Sequence, residues 1–139
     1  MKLSVKSDYA ARAVLTLARH HADGKSLRVE DLAAEHNVSA NYLVQILIEL
    51  KSRKIVRSVR GKAGGYLLGK APVEITLGDV LRCVHGQVFD TPALTNANCP
   101  AELRRAWETL RVGTEALADS INFQKLLEES TDKAKMYYI

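Results

Sequence analysis

Apolar residues recur at helical spacing in the first twenty positions of the chain. Between residues 8 and 21 they are three, four, seven and eight positions apart, which predicts a helix buried on one face: Ala10, Ala13, Val14, Leu17 and Ala18. Ser7 is the predicted N-cap, and Asp23-Gly24 ends the helix. Residues 27–29 then suit a short strand.

Two shorter helices separated by a tight turn follow. The first covers residues 30–36, and Ser39 caps the second, which runs to about residue 52. Val38 before the cap and Leu43 inside the helix have the spacing of a hydrophobic staple. The buried stripe of this third helix consists of Leu43, Ile46, Leu47 and Leu50. This order of elements is typical of a helix-turn-helix.

A basic β-hairpin comes next. Residues 55–60 and 66–68 read as short strands, and the segment between them contains Gly61, Gly64 and Gly65. Glycines in such a turn supply positive φ or a close backbone approach. The pattern therefore predicts a mainly α fold with a small β-wing, that is, a winged helix-turn-helix domain.

The later part of the chain predicts a long helix that requires a partner. Thr76 and Asp79 form a capping box that opens a fourth helix, which Gly86 stops. After an irregular loop, a fifth helix of residues 100–121 carries apolar or small side chains spaced four and three apart: Leu103, Trp107, Leu110, Thr114, Leu117 and Ile121. A second copy of the chain is the simplest partner for this seam, and packing on its own domain is the alternative. A short helix of residues 123–129 comes last.

Three segments follow from these elements. Residues 1–86 form the winged helix-turn-helix domain, residues 87–99 a loop, and residues 100–139 the dimerisation helix with the short C-terminal helix.

The charge distribution along the chain indicates a binding partner. The chain has 139 residues and a net charge of +4, but residues 1–72 hold 13 Lys or Arg against 6 Asp or Glu. Residues 51–62 contain six cations and no acid, which favours a polyanion. No apolar run is long enough to span a membrane, and the N-terminus lacks a hydrophobic signal core, so a cytoplasmic protein is expected. Two cysteines are too few for a disulfide scaffold or for a four-cysteine zinc site.

A helix-turn-helix beside a basic wing predicts binding to double-stranded DNA. The N-terminal part of the third helix would meet base edges in the major groove, where Asn and Gln can bind adenine. The wing would contact phosphates or the minor groove, and the start of the first helix would hold the DNA backbone. The predicted DNA-binding residues are Lys6, Ser7, Tyr9, Ser39, Asn41, Tyr42, Gln45, Arg60, Lys62 and Gly64.

The sequence resembles the Rrf-type family of bacterial winged-helix transcription regulators, whose members include iron–sulfur, nitric-oxide and cysteine-metabolism regulators. The wing run VRGKAGGYLL at residues 59–68, followed by EITLGDV at residues 74–80, carries the resemblance most specifically. KSDYA at residues 6–10 and YLVQ at residues 42–45 are also similar. The resemblance implies a homodimer, operator DNA and, usually, repression.

The chain departs from the family's cluster-binding members. Those members ligate an iron–sulfur cluster through three cysteines in the loop before the dimer helix, whereas this loop has only Cys99, with Glu102 where the family has a histidine. Cys83 lies inside the fourth helix, where a small core residue is expected. Asp8, Glu102 or a histidine stay open as substitute ligands, but we expect no cofactor and no metal site. Val44 stands where the iron–sulfur cluster regulator of the family has an acidic specificity residue, so that member's operator preference does not carry over.

Two other functions stay open. Cys99 precedes a helix N-terminus, an environment that can make a thiol redox-sensitive, so the chain could be a redox or iron–sulfur sensor; the alternative for Cys99 is an inert thiol. A winged helix can also serve as a protein-interaction module. No nucleophile–base set and no phosphate-binding loop is evident, so the chain is predicted not to be an enzyme. The sequence does not specify an effector.

Overall fold

The computed structural model describes residues 3–62 and 64–137, with side-chain detail up to residue 130. The protein is mostly helical and contains one antiparallel hairpin, which confirms the predicted fold class. The elements are α1 (Val5–Arg19), α2 (Val29–His36), α3 (Ala40–Ser52), β1 (Val56–Val59), β2 (Gly65–Leu68), α4 (Leu77–His85), α5 (Ala101–Ser120) and α6 (Phe123–Tyr137). None of the helices in the described part of the chain is long and apolar enough to cross a membrane.

Helix α1 begins three residues earlier than the sequence pattern predicts. Ser4 is its N-cap, and the Ser4 hydroxyl oxygen accepts a hydrogen bond from the Ser7 amide at 3.2 Å. Ser7 is buried, and its own hydroxyl donates to the Ser4 carbonyl at 2.6 Å. The prediction of Ser7 as the cap was therefore wrong, because a second serine one turn upstream takes that role.

Helices α1, α2 and α3 enclose the core of the N-terminal half. Asn37 ends α2 in the left-handed conformation, with φ of 53°, and Ser39 caps α3 by accepting from the Tyr42 amide at 3.1 Å. The α3 stripe that the sequence predicts is buried, as are the α1 residues that face it: Leu43, Ile46, Leu47, Leu50, Ala10, Ala13, Val14 and Leu17. The helix-turn-helix is thus fixed by a shared apolar core.

The wing is fastened to the segment that precedes α2. Strands β1 and β2 pair with Val56 opposite Leu68 and Val59 opposite Gly65. Leu27 also bridges to Tyr66 through two backbone hydrogen bonds of 3.0 and 2.7 Å. The strand predicted at residues 27–29 shortens to this single bridge, since α2 already begins at residue 29. A Cβ atom on Gly65 would lie 2.3 Å from the Leu27 carbonyl oxygen, so only glycine fits here.

The C-terminal part of the chain returns to the N-terminal half. The capping box of α4 is present, with reciprocal Thr76–Asp79 hydrogen bonds of 3.0 Å. The backbone at residues 75–77 pairs with residues 121–123, and Phe123 is fully buried in the same core as α1 and α3. Helix α6 runs to Tyr137, beyond the predicted end at residue 129, since residues 130–137 contain no glycine or proline to stop it. Below, the winged-helix head means residues 3–62 and 64–86.

An ion pair joins the head to the end of α5. The Arg82 guanidinium donates from both terminal nitrogens to the two carboxylate oxygens of Asp119, at 2.8 and 2.7 Å. This hydrogen bonding holds the pKa of Asp119 below its ordinary value. A carboxyl with a lowered folded pKa contributes stability above its unfolded pKa and loses it as pH falls through the folded value.

Stability measured against pH isolates this contribution. We expect the urea midpoint of the wild type to exceed that of Asp119→Asn at about pH 6, and the difference to shrink steadily toward about pH 2. Urea unfolding at a series of pH values, at one protein concentration, measures this difference. A gap that stays constant over the whole series would contradict the pairing of Asp119 with Arg82.

Candidate nucleic-acid interface

One face of α3 is open to solvent. Asn41, Gln45 and Ile48 lie four and three residues apart, and all three are exposed on the side away from the buried stripe. Tyr42 is exposed beside them, and Ser39 precedes them with its hydroxyl oxygen engaged in the cap. Ile48 was not among the predicted DNA-binding residues. The sequence feature that could have identified it is an apolar residue that lies outside the buried stripe of α3. We call residues 41, 42, 45 and 48 the reading face.

Helix α1 flanks the reading face. The rings of Tyr9 and Tyr42 meet edge to face, with centroids 6.0 Å apart, and the Arg12 guanidinium lies 5.3 Å from the Tyr9 centroid. The Lys6 ammonium is 2.5 Å from a carboxylate oxygen of Glu49 on α3. Two residues of the predicted set, Lys6 and Tyr9, therefore lie beside α3, and Lys6 has an acidic partner there. Ser7 is buried, so its hydroxyl is not presented to a ligand.

The wing presents cations next to the end of α3. Arg57, Arg60 and Lys62 are exposed, and none of them forms an ion pair with a carboxylate in the described residues. The Lys51 ammonium donates to the Ser58 hydroxyl at 2.8 Å, which ties α3 to β1. Unpaired cations at this edge keep their charge available for a polyanion.

The wing turn requires glycine at position 64 because of the close backbone approach that the sequence pattern indicates for this turn. Its amide donates to the Gly61 carbonyl at 2.9 Å, and Gly61 has φ of +107°. A Cβ atom on Gly64 would lie 2.4 Å from the Val59 carbonyl oxygen. The glycine is thus required for the wing to turn back on itself, whatever it contacts outside the chain.

The exposed seam of α5 differs from the predicted one. Leu103, Ala106, Leu110, Gly113 and Leu117 are all exposed, at spacings of three and four residues. Trp107 instead packs on Phe89 of the loop, with ring centroids 6.5 Å apart, and the Ile121 carbonyl accepts from the Leu77 amide at 2.9 Å. Trp107 and Ile121 are therefore partly covered within their own chain, whereas the three leucines of the predicted seam are exposed.

The two thiols lie in different surroundings. Cys99 is half-buried, and its carbonyl and that of Asn96 accept from the Arg104 guanidinium at 3.2 and 2.6 Å. The Cys83 thiol donates to the Glu49 carbonyl at 3.2 Å. Burial, and then the charge of Glu49, raises the pKa of Cys83, which favours the protonated thiol.

The donor set does not fit an iron–sulfur cluster within one chain. Such a cluster takes four thiolates or close substitutes, and the loop before α5 supplies one thiol. Cys83 is held against α3 by its hydrogen bond to Glu49. Across the part of the chain that the structure describes, no three His, Cys, Asp or Glu side chains come together as a metal site.

Comparisons with known proteins agree with this architecture. Residues 3–129 match the family model Rrf2, described as an iron-dependent transcriptional regulator. The HTH-type transcriptional regulator CymR of Bacillus subtilis is 32% identical over 141 residues, covering 100% of both chains. The HTH-type transcriptional regulator IscR of Pectobacterium carotovorum is 34% identical over 88% of this chain and 74% of its own.

Solved structures show the same likeness. The structure of CymR, the global cysteine regulator of B. subtilis, has a TM-score of 0.82 at 28% identity and covers 93% of this chain and 98% of its own. T. potens IscR has a TM-score of 0.76 at 28% identity, over 94% and 88% of the two chains. The predicted resemblance is confirmed, as is the assignment to DNA-binding regulators rather than enzymes. The chain belongs to the Rrf2 family of transcriptional regulators.

Proposed function

We propose that this regulator is a cytoplasmic homodimer that binds a roughly palindromic operator and represses transcription from it. The observation that carries the proposal is the open reading face of α3, which stands beside a wing whose cations have no acidic partner among the described residues. Repression follows if the operator overlaps a promoter, since a bound dimer then blocks access to it.

Each residue of the reading face has chemistry suited to a base pair or to the DNA backbone. The amides of Asn41 and Gln45 can each bind adenine through N6 and N7 in the major groove. Ile48 offers an apolar contact to a thymine methyl group, and Tyr42 can donate to a phosphate. Arg60 on the wing can insert into a narrow minor groove, where the potential is most negative.

The exposed seam of α5 supports the dimer. Three leucines in line at seven-residue intervals form an apolar stripe, and Ala106 and Gly113 between them permit a close helix approach. A second copy supplies the same stripe through two-fold symmetry. Two recognition helices held in this way would meet successive major grooves about 34–36 Å apart.

We further propose that the dimer works without an iron–sulfur cluster. The support is the donor set, since one loop thiol and a protonated, hydrogen-bonded Cys83 leave a cluster short of ligands within one chain. The signal that releases the protein from DNA then acts through another route.

Salt dependence of DNA binding tests the proposal. We expect log Kobs to fall linearly with log salt, by about 0.9 for each phosphate neutralised, and the slope to decrease by about 1 for Arg60→Ala and for Lys62→Ala. Arg105→Ala, which removes an exposed cation from α5, is the matched control and should leave the slope unchanged. A response that is flat in salt would instead favour a protein-interaction module.

Base recognition by Gln45 gives a second expected outcome. Gln45→Ala should lower discrimination by about 1–3 kcal/mol at one operator position and leave binding to random DNA almost unchanged. Competition titrations with single-base operator variants measure this, and Gln124→Ala on α6 serves as the control of identical chemistry. Equal losses on operator and random DNA would show that Gln45 does not read a base.

A further inference from the structure

Helix α5 is held by its own head at few points. Of its twenty residues only Ala118 is buried, so its direction is not set by a broad apolar contact. Near its end, the Leu77 amide donates to the Ile121 carbonyl at 2.9 Å, and the Phe123 amide donates to the Ile75 carbonyl at 3.0 Å. These bonds fix where α5 ends but leave its tilt to other contacts.

The Arg82–Asp119 pair lies where it can control that tilt. The two hydrogen bonds run in parallel from one planar guanidinium to one carboxylate, a geometry that fixes orientation as well as distance. The Asp79 carboxylate, 3.8 Å from Arg82, helps to hold the guanidinium on the α4 side. The Thr76 hydroxyl donates to Asp119 at 3.5 Å. The pair thus connects the first two turns of α4 to the last turn of α5.

Gly78 provides independent evidence that this contact is close. A Cβ atom on Gly78 would lie 1.9 Å from a carboxylate oxygen of Asp119 and 3.1 Å from a terminal nitrogen of Arg82. Glycine within a helix disfavours that helix relative to alanine, and the φ of Gly78 is not in the left-handed region. The space above Gly78 is therefore occupied by the ion pair, which a side chain there would displace.

We propose that the Arg82–Asp119 pair, seated on Gly78, is a positioning element that sets the angle between head and α5 and so selects the spacing of operator half-sites. The proposal rests on the proposed dimeric, DNA-binding function. In a dimer joined through α5, the tilt of each head fixes the separation of the two recognition helices. A tilt of about 10° acting over a domain radius of about 15–20 Å moves a recognition helix by about 3 Å, close to one base-pair step.

The test uses the full chain and operators of altered spacing. Wild-type protein first selects an operator from random DNA, and its half-sites are then placed one or two base pairs closer together or farther apart. Each added base pair shifts and rotates one half-site relative to the other, so we expect wild-type affinity to fall about tenfold or more for each base pair from the optimum. For Asp119→Asn and Gly78→Ala we expect this penalty to shrink to about two- to threefold, with affinity for an isolated half-site unchanged within about twofold.

Further variants separate positioning from charge and from folding. Glu108→Gln removes a carboxylate whose one ion-pair partner among the described residues is Arg111 on the same helix. The dependence of its affinity on half-site spacing should therefore match that of the wild type. Arg82→Lys keeps the positive charge but loses the two parallel hydrogen bonds of the guanidinium. It should therefore reduce the affinity penalty for altered half-site spacing, as Asp119→Asn does. Asp119→Asn changes an exposed side chain, so it keeps the test valid even if Gly78→Ala fails to fold.

The outcomes are distinguishable. A sharp wild-type profile that Asp119→Asn shares would overturn the positioning role alone. A wild-type profile that is flat across the series would overturn the dimeric function and the positioning role with it. A profile that is sharp for the wild type and for Glu108→Gln but broad for the other three variants is the result expected.

Discussion

Replacing Leu110 by glutamate is expected to convert the proposed dimer to a monomer and to lower operator affinity by about 10³-fold or more, toward the level of non-specific binding. Leu110 is 52% exposed at the centre of the α5 seam. In a two-fold dimer the substitution appears twice, so it removes two apolar contacts and places two carboxylates in an apolar interface. A monomer then engages only one half-site at a time. Sedimentation and operator titration measure the two effects.

Val112 offers a closely matched control. It is also 52% exposed and lies on the same helix, but it is outside the seam of residues 103, 106, 110, 113 and 117. Val112→Glu should therefore leave both the dimer and operator affinity unchanged. A Leu110→Glu protein that remains a dimer, or a Val112→Glu protein that dissociates, would place the interface elsewhere.

Truncating Phe123 is expected to destabilise the fold by about 3–5 kcal/mol, because the cost of a buried phenylalanine includes the cavity left behind. Phe123 is fully buried in the core that α1, α3 and α4 share, although it comes after the predicted dimerisation helix. Such a loss is a large part of the stability of an ordinary domain, about 5–15 kcal/mol. Urea unfolding of Phe123→Ala at a fixed protein concentration measures it, since a dimer's stability depends on concentration.

An exposed position gives the comparison for this measurement. Val73 is largely exposed in the turn before α4, and Val73→Ala should change stability by no more than about 0.5 kcal/mol. If Phe123→Ala lowered the free energy of unfolding by less than about 1 kcal/mol, the core described here would not include the start of α6. A large loss would show that the C-terminal segment stabilises the head directly.

Local chemistry accounts for the parts of the fold that the sequence predicted well. The Ser39 cap and the Thr76–Asp79 box depend on residues three positions apart, so their hydrogen bonds can be predicted without knowledge of tertiary structure. Ser7 failed as a cap because Ser4 offers the same chemistry one turn earlier, and only the burial of Ser7 decides between them. Element types were predictable here, and the exact beginnings of helices were less so.

The contacts that organise the candidate site join residues far apart in the chain. Lys6 pairs with Glu49 across 43 positions, and Arg82 pairs with Asp119 across 37 positions. Spacing rules describe neighbours on one helix and contain no information about such pairs. The same limit explains the α5 seam. Trp107 and Ala106 fit the heptad spacing equally well, and only the contact of Trp107 with Phe89 of the loop distinguishes them.

Trp107 also gives the protein an intrinsic optical probe. It is the only tryptophan in the sequence, and its ring meets Phe89 where the loop that carries Cys99 lies against α5. Indole fluorescence changes with the polarity and packing around the ring. Emission from the unlabelled chain therefore reports on this one junction, and titration with candidate effector molecules can be followed there without introducing a dye.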